Sequence, residues 1–226
     1  MKWTGTIAAT ASGSVGGCTF SHNRFGQYVR RRAVPVNPGS SQQLVITAAL
    51  GSLVAAWKTL TQIQRDGWTN YALNTPREGF GGTIILTGQQ MYIACNTPRI
   101  QIGTSVVNTP PVVFGAAVLT PPVPTTLVGA TDVLSYTFAN TDPWAGAVGG
   151  FLAVYISRPQ SPTTQFFKGP YRFAGLTAGG VVPPTSPQTE VSPFDYAVGQ
   201  RAHVQFRAMN ATGQISPAVR ATILAT

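Results

Sequence analysis

Glycine and proline occur so often in this chain that long regular elements are confined to one short region. The 226 residues include 24 glycines and 18 prolines, and Thr, Ser, Ala and Val fill much of the remainder. Because glycine and proline punctuate turns and interrupt helices, this composition favours short β-strands and argues against a helical bundle. The length suffices for one large domain, or for a small part plus a β-sandwich, and either can bury a core.

The C-terminal part, residues 105–226, has the clearest strand patterns. Apolar and polar residues alternate in LSYTFAN, FLAVYISRP and RAHVQFRAMN, and a last strand is expected after the turn NATGQIS. Alternation places one set of side chains inward and the other, including Arg201, His203, Gln205 and Arg207, outward. Short strands between Pro- and Gly-rich turns predict an antiparallel β-sandwich of the fibronectin III or immunoglobulin type. The residues predicted to face inward are Leu134, Tyr136, Phe138, Leu152, Val154, Ile156, Ala202, Val204, Phe206, Ala208, Val219, Ala221 and Ile223.

Residues 40–104 have helical periodicity instead. Apolar residues spaced by four, three, four and three positions predict an amphipathic helix that begins at Ser40 or Ser41. Thr61 and Gln64 have the spacing of a capping box, which predicts a second helix, and the run GQQMYIACN predicts a third. The side chains expected to face the core from the first helix are Ile46, Leu50, Leu53, Trp57 and Leu60. The aromatic residues expected to meet between the first two helices are Trp57, Trp68 and Tyr71.

Residues 1–39 are predicted to form an extended β-hairpin arm. In GCTFSHNRFGQYVRRR, two strand-like runs flank a four-residue loop, residues 23–26, which ends in a glycine suited to positive φ. Alternation in the second run puts arginines on both of its faces. Charge on both faces does not fit a strand with one side in a core, so the ribbon is expected to project from the body or to lie between two bodies.

The basic charge of the chain is concentrated near its N-terminus. The net charge is +9, and the first 65 residues contain seven basic residues and no Asp or Glu. Such asymmetry points to a localised anionic partner. The charged fraction is only 9%, against about 25% in ordinary soluble domains, so little charge is available to oppose association. Low charge therefore favours a surface that other subunits cover.

Side chains suited to catalysis or metal binding are scattered. The six carboxylates lie singly in turns, and neither His22 nor His203 has a second ligand at metal spacing. No glycine-rich loop is followed by Lys-Ser or Lys-Thr, and no nucleophile elbow occurs. We therefore predict no enzyme activity, no metal site and no cofactor. Cys18 and Cys95 are expected to be unpaired buried thiols, with one disulfide as the alternative.

The N-terminal run MKWTGTIAATASGSVGG is not expected to be a cleaved signal peptide, because Thr and Ser interrupt its apolar residues. No segment approaches the roughly 18 apolar residues that a membrane span needs, so no membrane insertion is expected.

The arginine-rich arm is the candidate contact site. Its guanidinium groups could bind a second copy of the protein, or the phosphates of a nucleic acid with aromatic stacking, or could simply be solvated. We favour the second copy, because an arm of β-type backbone can add to a sheet of a neighbouring subunit. The predicted contact residues are Arg24, Phe25, Tyr28, Arg30, Arg31 and Arg32.

The motifs SHNRFGQYVRRRAVPVNP, AAWKTLTQIQRDGWTNYA and LTGQQMYIACN resemble a poorly characterised family of phage, prophage and environmental bacterial proteins. The resemblance covers the N-terminal and helical parts, and the C-terminal part is similar only in general style. It implies a virion or other surface structural component and no established enzyme activity. The matching residues are Ser21, Asn23, Arg24, Gly26, Tyr28, Arg30, Arg32, Pro35, Val36, Asn37, Pro38, Trp57, Leu60, Thr61, Gln64, Arg65 and Trp68.

The sequence therefore predicts a non-enzymatic structural subunit of a self-assembling, repeating particle, such as a virion capsid or tail component, a tube or a filament. Its expected location is a virion or an extracellular assembly, reached without a cleaved signal peptide. The first alternative is a protein that contacts nucleic acid through the same arginines. The second is a carbohydrate-binding or adhesive module. The aromatic residues that would serve that module are Trp144, Phe166, Phe167 and Tyr171.

Overall fold

The computed structural model describes residues 12–23, 26–34, 36, 39–79 and 82–226. Within them the chain is α+β and mainly β, with three helices and antiparallel sheets, which confirms the predicted class. The chain divides into two compact units, an N-terminal unit, Met1–Ser41, and a main unit, Gln42–Thr226.

The described strands are short, and the longest has nine residues. In chain order the elements are β1 (Gly13–Val15), β2 (Cys18–Asn23), β3 (Gly26–Arg31), α1 (Ser41–Thr59), α2 (Gln62–Asn74), β4 (Arg77–Gly79), β5 (Gly82–Ile84), α3 (Gly88–Gln101), β6 (Val123–Val128), β7 (Val133–Thr137), β8 (Phe151–Ile156), β9 (Arg172–Ala178), β10 (Gln188–Val191), β11 (Arg201–Met209) and β12 (Val219–Leu224).

The N-terminal unit contains a three-stranded antiparallel sheet in the order β1-β2-β3. Strands β2 and β3 form the predicted hairpin, while β1 was not predicted as a separate strand. Asn23 pairs with Gly26, so only two residues, rather than four, connect the strands. Those two, Arg24 and Phe25, lie outside the described residues.

The main unit has its largest core between two sheets. A four-stranded sheet has the order β12-β11-β8-β9, and a three-stranded sheet has the order β10-β7-β6. Alternate side chains of both sheets meet in one buried cluster, which includes Tyr136, Val154 and Phe206. Of the thirteen residues predicted to face inward, ten are buried in this cluster and three, on β12, pack against it half-buried. The alternation in the sequence therefore identified the core correctly.

The outer face of the four-stranded sheet is predicted to be exposed, but part of it is buried. His203, expected to point outward to solvent, is only 4% exposed, and its ring stacks on Phe167 with centroids 5.5 Å apart. Met209 on the same strand is also buried. The side chain of Phe167, in the segment between β8 and β9, covers this face, and no local pattern in β11 encodes that cover.

The helices pack around a second, aromatic core. Trp68 and Tyr92 are fully buried, with centroids 5.5 Å apart, and Tyr92 also contacts Trp57. Trp68 also contacts Tyr71 within α2, with centroids 6.0 Å apart, and Trp57 of α1 is linked to this pair through Tyr92 of α3. The predicted capping box of Thr61 and Gln64 is present at the start of α2. Thr87 and Gln90 form a second one, and α3 extends further than the predicted run, to Gln101.

Close packing of α2 against α3 depends on Gly88. A Cβ atom at this position would lie 2.4 Å from the Thr69 hydroxyl and 2.8 Å from its backbone nitrogen. Any larger residue would therefore push the two helices apart.

The helices are joined to the outer face of the four-stranded sheet. Ile102 at the end of α3 packs with Ala153 and Met209 in a third buried cluster. Arg99 of α3, only 2% exposed, donates hydrogen bonds to the carbonyl oxygens of Ser105 and Asn210 at 2.8 and 3.2 Å. Its third donor reaches a carbonyl oxygen of the loop before β8, at residue 149, over 3.4 Å. Backbone carbonyls rather than a carboxylate therefore hold this buried cation.

Both cysteines are free thiols. Cys95 is buried as predicted, and Cys18 is exposed, contrary to the prediction. Burial raises the pKa of the Cys95 thiol from 9.0 to about 11, whereas neighbouring Arg77 lowers it. The Cys95 thiol is therefore protonated at neutral pH and acts as an inert part of the core.

Candidate interaction site

The arginines of the N-terminal sheet are exposed. Strand β3 pairs with β2 so that Arg30 lies opposite Thr19 and Arg31 opposite Cys18. Arg30, Arg31 and Arg32 are all exposed, and Tyr28 is half-buried. Arg30 and Arg31 project from opposite faces of the sheet, because neighbouring residues in a strand alternate. The remaining predicted contact residues, Arg24 and Phe25, lie outside the described residues.

The N-terminal sheet has no core of its own. Of the residues that the structure describes in Met1–Ser41, none is buried. Phe20 and Val29, opposite each other on β2 and β3, are its largest apolar pair, and both are half-buried. A three-stranded sheet needs a buried apolar face, or a neighbour that packs on it, to be stable in water. The N-terminal sheet therefore presents two faces to which another molecule could bind.

Helix α1 presents a second uncovered surface. Its core side is narrow, with Ala49 and Leu53 buried, and Leu50, predicted to face the core, is 41% exposed. No charged residue occurs between Ser41 and Trp57. The outer face of α1 has exposed apolar or small residues at spacings of four, three and four positions, which places them in one stripe. These residues, here called the α1 stripe, are Leu44, Ala48, Gly51 and Ala55.

None of the described helices is long and apolar enough to cross a membrane by itself. One pair, Gln43–Thr59 with Gln62–Asn74, is bent by 120° and would qualify by length and composition alone.

A pocket opens between the helices and the outer face of the four-stranded sheet. It has a volume of about 550 Å³, within the usual range for small-molecule sites. Its wall includes Tyr71, Arg77, Cys95, Arg207 and Ile215. Among the carboxylates that the structure describes, none lines this space. We call it the basic pocket.

The two arginines of the basic pocket have poor internal partners. The Nε atom of Arg207 is buried and has no hydrogen-bond partner within the described structure. Arg77 donates from Nη2 to the sulfur of Met91 at 3.5 Å, and sulfur is a weak acceptor. Burial lowers the pKa of Arg207, which Tyr155 raises and the charges of Arg77 and Arg220 lower again. An arginine keeps its proton in proteins, and no described carboxylate lines the pocket to balance these two positive charges.

Sequence reasoning missed the basic pocket because its arginines are far apart in the chain. The alternation in β11 predicts only that Arg207 faces outward, and no pattern in the sequence links it to Arg77. The sequence contains only a weak signal for a basic site: Arg201 and Arg207 lie on the same face of one strand, and no acidic residue stands between them.

Two of the described carboxylates stabilise the fold. Asp142 accepts hydrogen bonds from the backbone nitrogen and the hydroxyl of Thr120 at 2.9 and 2.8 Å. Asp132, whose φ is 55°, accepts a hydrogen bond from the backbone nitrogen of Tyr196 at 2.7 Å. Within the described residues, no three His, Cys, Asp or Glu side chains are grouped so that they could hold a metal ion.

The aromatic residues considered for carbohydrate binding do not form one exposed platform. Trp144 is fully buried in the main core, which corrects its assignment as an exposed aromatic residue. Phe167 packs edge-on against Tyr171, with centroids 5.2 Å apart, and also stacks on His203. Phe166 is largely exposed.

In comparison with known proteins, no family model matches the chain, and no curated protein and no solved structure matches it.

Proposed function

We propose that the protein is a non-enzymatic structural subunit of a self-assembling, repeating particle. The candidates are a virion capsid or tail component, a tube or a filament, in a virion or outside the cell. In this proposal the arginine-rich N-terminal sheet binds the neighbouring copy. Contacts of this type join different surfaces of two subunits, so they close into rings or continue as tubes and filaments.

The observation that carries the proposal is the absence of any buried residue in the described part of the N-terminal unit. Ordering the backbone costs about 1–2 kcal/mol per residue, and burial of apolar surface is the main term that offsets this cost. A sheet without buried side chains gains little of that term. A neighbouring subunit that covers Phe20 and Val29 would supply it, and exposed arginines would bind carboxylates or backbone carbonyls at the same seam.

The α1 stripe supports a repeating assembly as well. Exposed apolar surface without charge marks protein–protein contact sites on soluble proteins. Small residues at Ala48, Gly51 and Ala55 would let a second backbone approach closely. The low charged fraction of the chain, 9%, favours association in the same way.

We propose further that the two sheets of the main unit form an antiparallel β-sandwich of the fibronectin III or immunoglobulin type. Four strands in one sheet, three in the other and a shared apolar core between them support this assignment. A rigid sandwich would serve as the body of the subunit, on which the N-terminal sheet and α1 act as attachment surfaces.

Replacing Arg30, Arg31 and Arg32 with alanine tests the role of the N-terminal sheet. We expect the wild-type protein to form large regular particles in light scattering and negative-stain microscopy, and the triple variant to remain small. The control removes three exposed positive charges from the main unit and should leave assembly unchanged. Its substitutions are Arg158→Ala, Lys168→Ala and Arg220→Ala. A wild-type protein that stays monomeric at high concentration contradicts the proposal.

Nucleic-acid binding is the second candidate, because the exposed arginines of β3 have no acidic residue near them in sequence. Contacts with phosphates would give affinity for any strand, and this affinity would fall steeply with salt. Under this alternative, the triple variant loses nucleic-acid retention and keeps its assembly. The two functions are therefore separated by measuring particle size and nucleic-acid content on the same preparations.

A further inference from the structure

Positive charge in the basic pocket is not compensated by the described protein groups. Arg77 and Arg207 both line the pocket, and Arg220 adds a third guanidinium close enough to affect Arg207. The buried Nε of Arg207 lacks a partner, although buried donors are nearly always paired in native proteins. The contrast with Arg99 is direct, since three carbonyl oxygens satisfy that buried guanidinium. Two other arginines, Arg65 and Arg201, also have an unpaired buried Nε, but of the three only Arg207 lines the pocket.

The other polar groups of the pocket wall are already engaged. The Tyr71 hydroxyl donates to the carbonyl oxygen of Gly115 at 2.7 Å. The Thr75 hydroxyl accepts a hydrogen bond from the Gly115 backbone nitrogen at 3.0 Å. The hydroxyl of Ser216 accepts from Ala208 and donates to a neighbouring carbonyl. The guanidinium groups are therefore the strong donors that the wall offers to a ligand.

We infer that the basic pocket binds a small organic anion, whose carboxylate or phosphate oxygens are held by Arg77 and Arg207. The fork of a guanidinium matches both kinds of oxyanion, and hydrogen bonds to charged groups are the stronger ones. The apolar part of the ligand would lie against Tyr71, Cys95 and Ile215. This inference is independent of the proposed assembly, since the pocket lies entirely within the main unit.

Calorimetric titration of the full-length chain tests this inference. The probes are inorganic phosphate, phenyl phosphate and benzoate, with the neutral benzamide for comparison. The titrations use the Arg30→Ala, Arg31→Ala, Arg32→Ala chain, so that anions bound by the N-terminal sheet do not contribute. We expect saturable binding of at least one anion and none of benzamide. Preference for the phosphates or for benzoate identifies which oxyanion the pocket accepts.

Two variants locate the binding. Arg77→Met and Arg207→Met are each expected to weaken the binding of the anion by roughly tenfold or more, because each removes charged hydrogen bonds. Arg201→Met is the matched control: Arg201 is also half-buried on β11 but does not line the pocket, and binding should be unchanged.

Three results would overturn the inference: no saturable binding of any of the three anions, equal binding of benzamide, or equal losses in Arg201→Met and the two pocket variants. Arg77 is exposed, so its variant decides the question even where Arg207→Met fails to fold. Anion binding by the non-assembling chain would support this inference independently of the proposed function. Assembly without anion binding would reject this inference alone.

Discussion

Arg99 and Arg207 show how the surroundings of one side chain decide its role. Both are removed from water to a large degree, and burial lowers the pKa of each. Arg99 donates to three backbone carbonyls and so holds α3 against the sheet. Arg207 faces a pocket and leaves its Nε unpaired. Neither role could be predicted from the sequence, because two of the three acceptors of Arg99 are 50 and 111 residues away and the Nε of Arg207 has none.

Three buried tyrosines make the fold sensitive to alkaline pH. Burial raises the pKa of Tyr71, Tyr136 and Tyr196 from 10.0 to about 12. The hydroxyls of Tyr71 and Tyr196 also donate to the carbonyl oxygens of Gly115 and Ser157, which a phenolate cannot do. The folded state thus favours the neutral phenol. The unfolded chain releases these protons at lower pH, so their contribution is complete below pH 10 and is lost as the pH rises from 10 to 12.

We therefore expect the free energy of unfolding, measured by urea denaturation, to fall between pH 10 and pH 12. The absorbance of tyrosinate should rise together with loss of the folded signal. A variant with Tyr71→Phe, Tyr136→Phe and Tyr196→Phe should lose less stability over this pH interval than the wild type. An equal loss in the two proteins would show that other groups control alkaline unfolding.

Local sequence patterns predicted the helix starts and strand faces that depend on interactions between residues close together in the chain. The capping box of Thr61 and Gln64 satisfies backbone donors within one turn, so its spacing alone identified the start of α2. The alternation in β7, β8 and β11 likewise identified the main core. The burial of the outer face of β11 could not be predicted, because the segments that cover this face are distant in the chain.

Helix α1 illustrates a different limit. It is apolar on nearly all sides, so periodicity could not decide which face packs inward. Ile46 and Trp57 are half-buried and Leu50 is exposed, although all three belong to the predicted core face. The long apolar face that remains outside was not predicted.

Charges placed in the α1 stripe should therefore weaken assembly without unfolding the main unit. The change is Ala48→Glu with Gly51→Glu, and a Cβ atom at Gly51 meets open space. Replacing a helical glycine also stabilises the helix by about 0.5–1 kcal/mol. We expect unchanged or higher thermal stability and smaller particles in light scattering. The control, Asn70→Glu on the exposed side of α2, should assemble normally; equal particle sizes in both variants would remove the α1 stripe from the interface.

Among the residues that the structure describes, the three buried clusters consist only of residues from the main unit. Removal of residues 1–39 should therefore change the free energy of unfolding by less than about 0.5 kcal/mol, the usual effect of a surface change. The same deletion should abolish assembly, because it removes the proposed binding sheet. Urea denaturation and light scattering on the shortened chain measure the two effects. Normal particles from that chain would assign assembly to the main unit.

The attachment of α3 through Arg99 limits how this protein can be divided or transplanted. Two of its three acceptors are carbonyl oxygens at positions 149 and 210, next to β8 and β11. A fragment that ended after the helices would expose the buried guanidinium of Arg99 to water. A fragment that began after them would leave these two carbonyl oxygens without their donor. Grafting this scaffold onto another protein therefore means carrying the three helices and both sheets, residues 42–226, as one piece, although the helical and strand-rich parts are easy to distinguish.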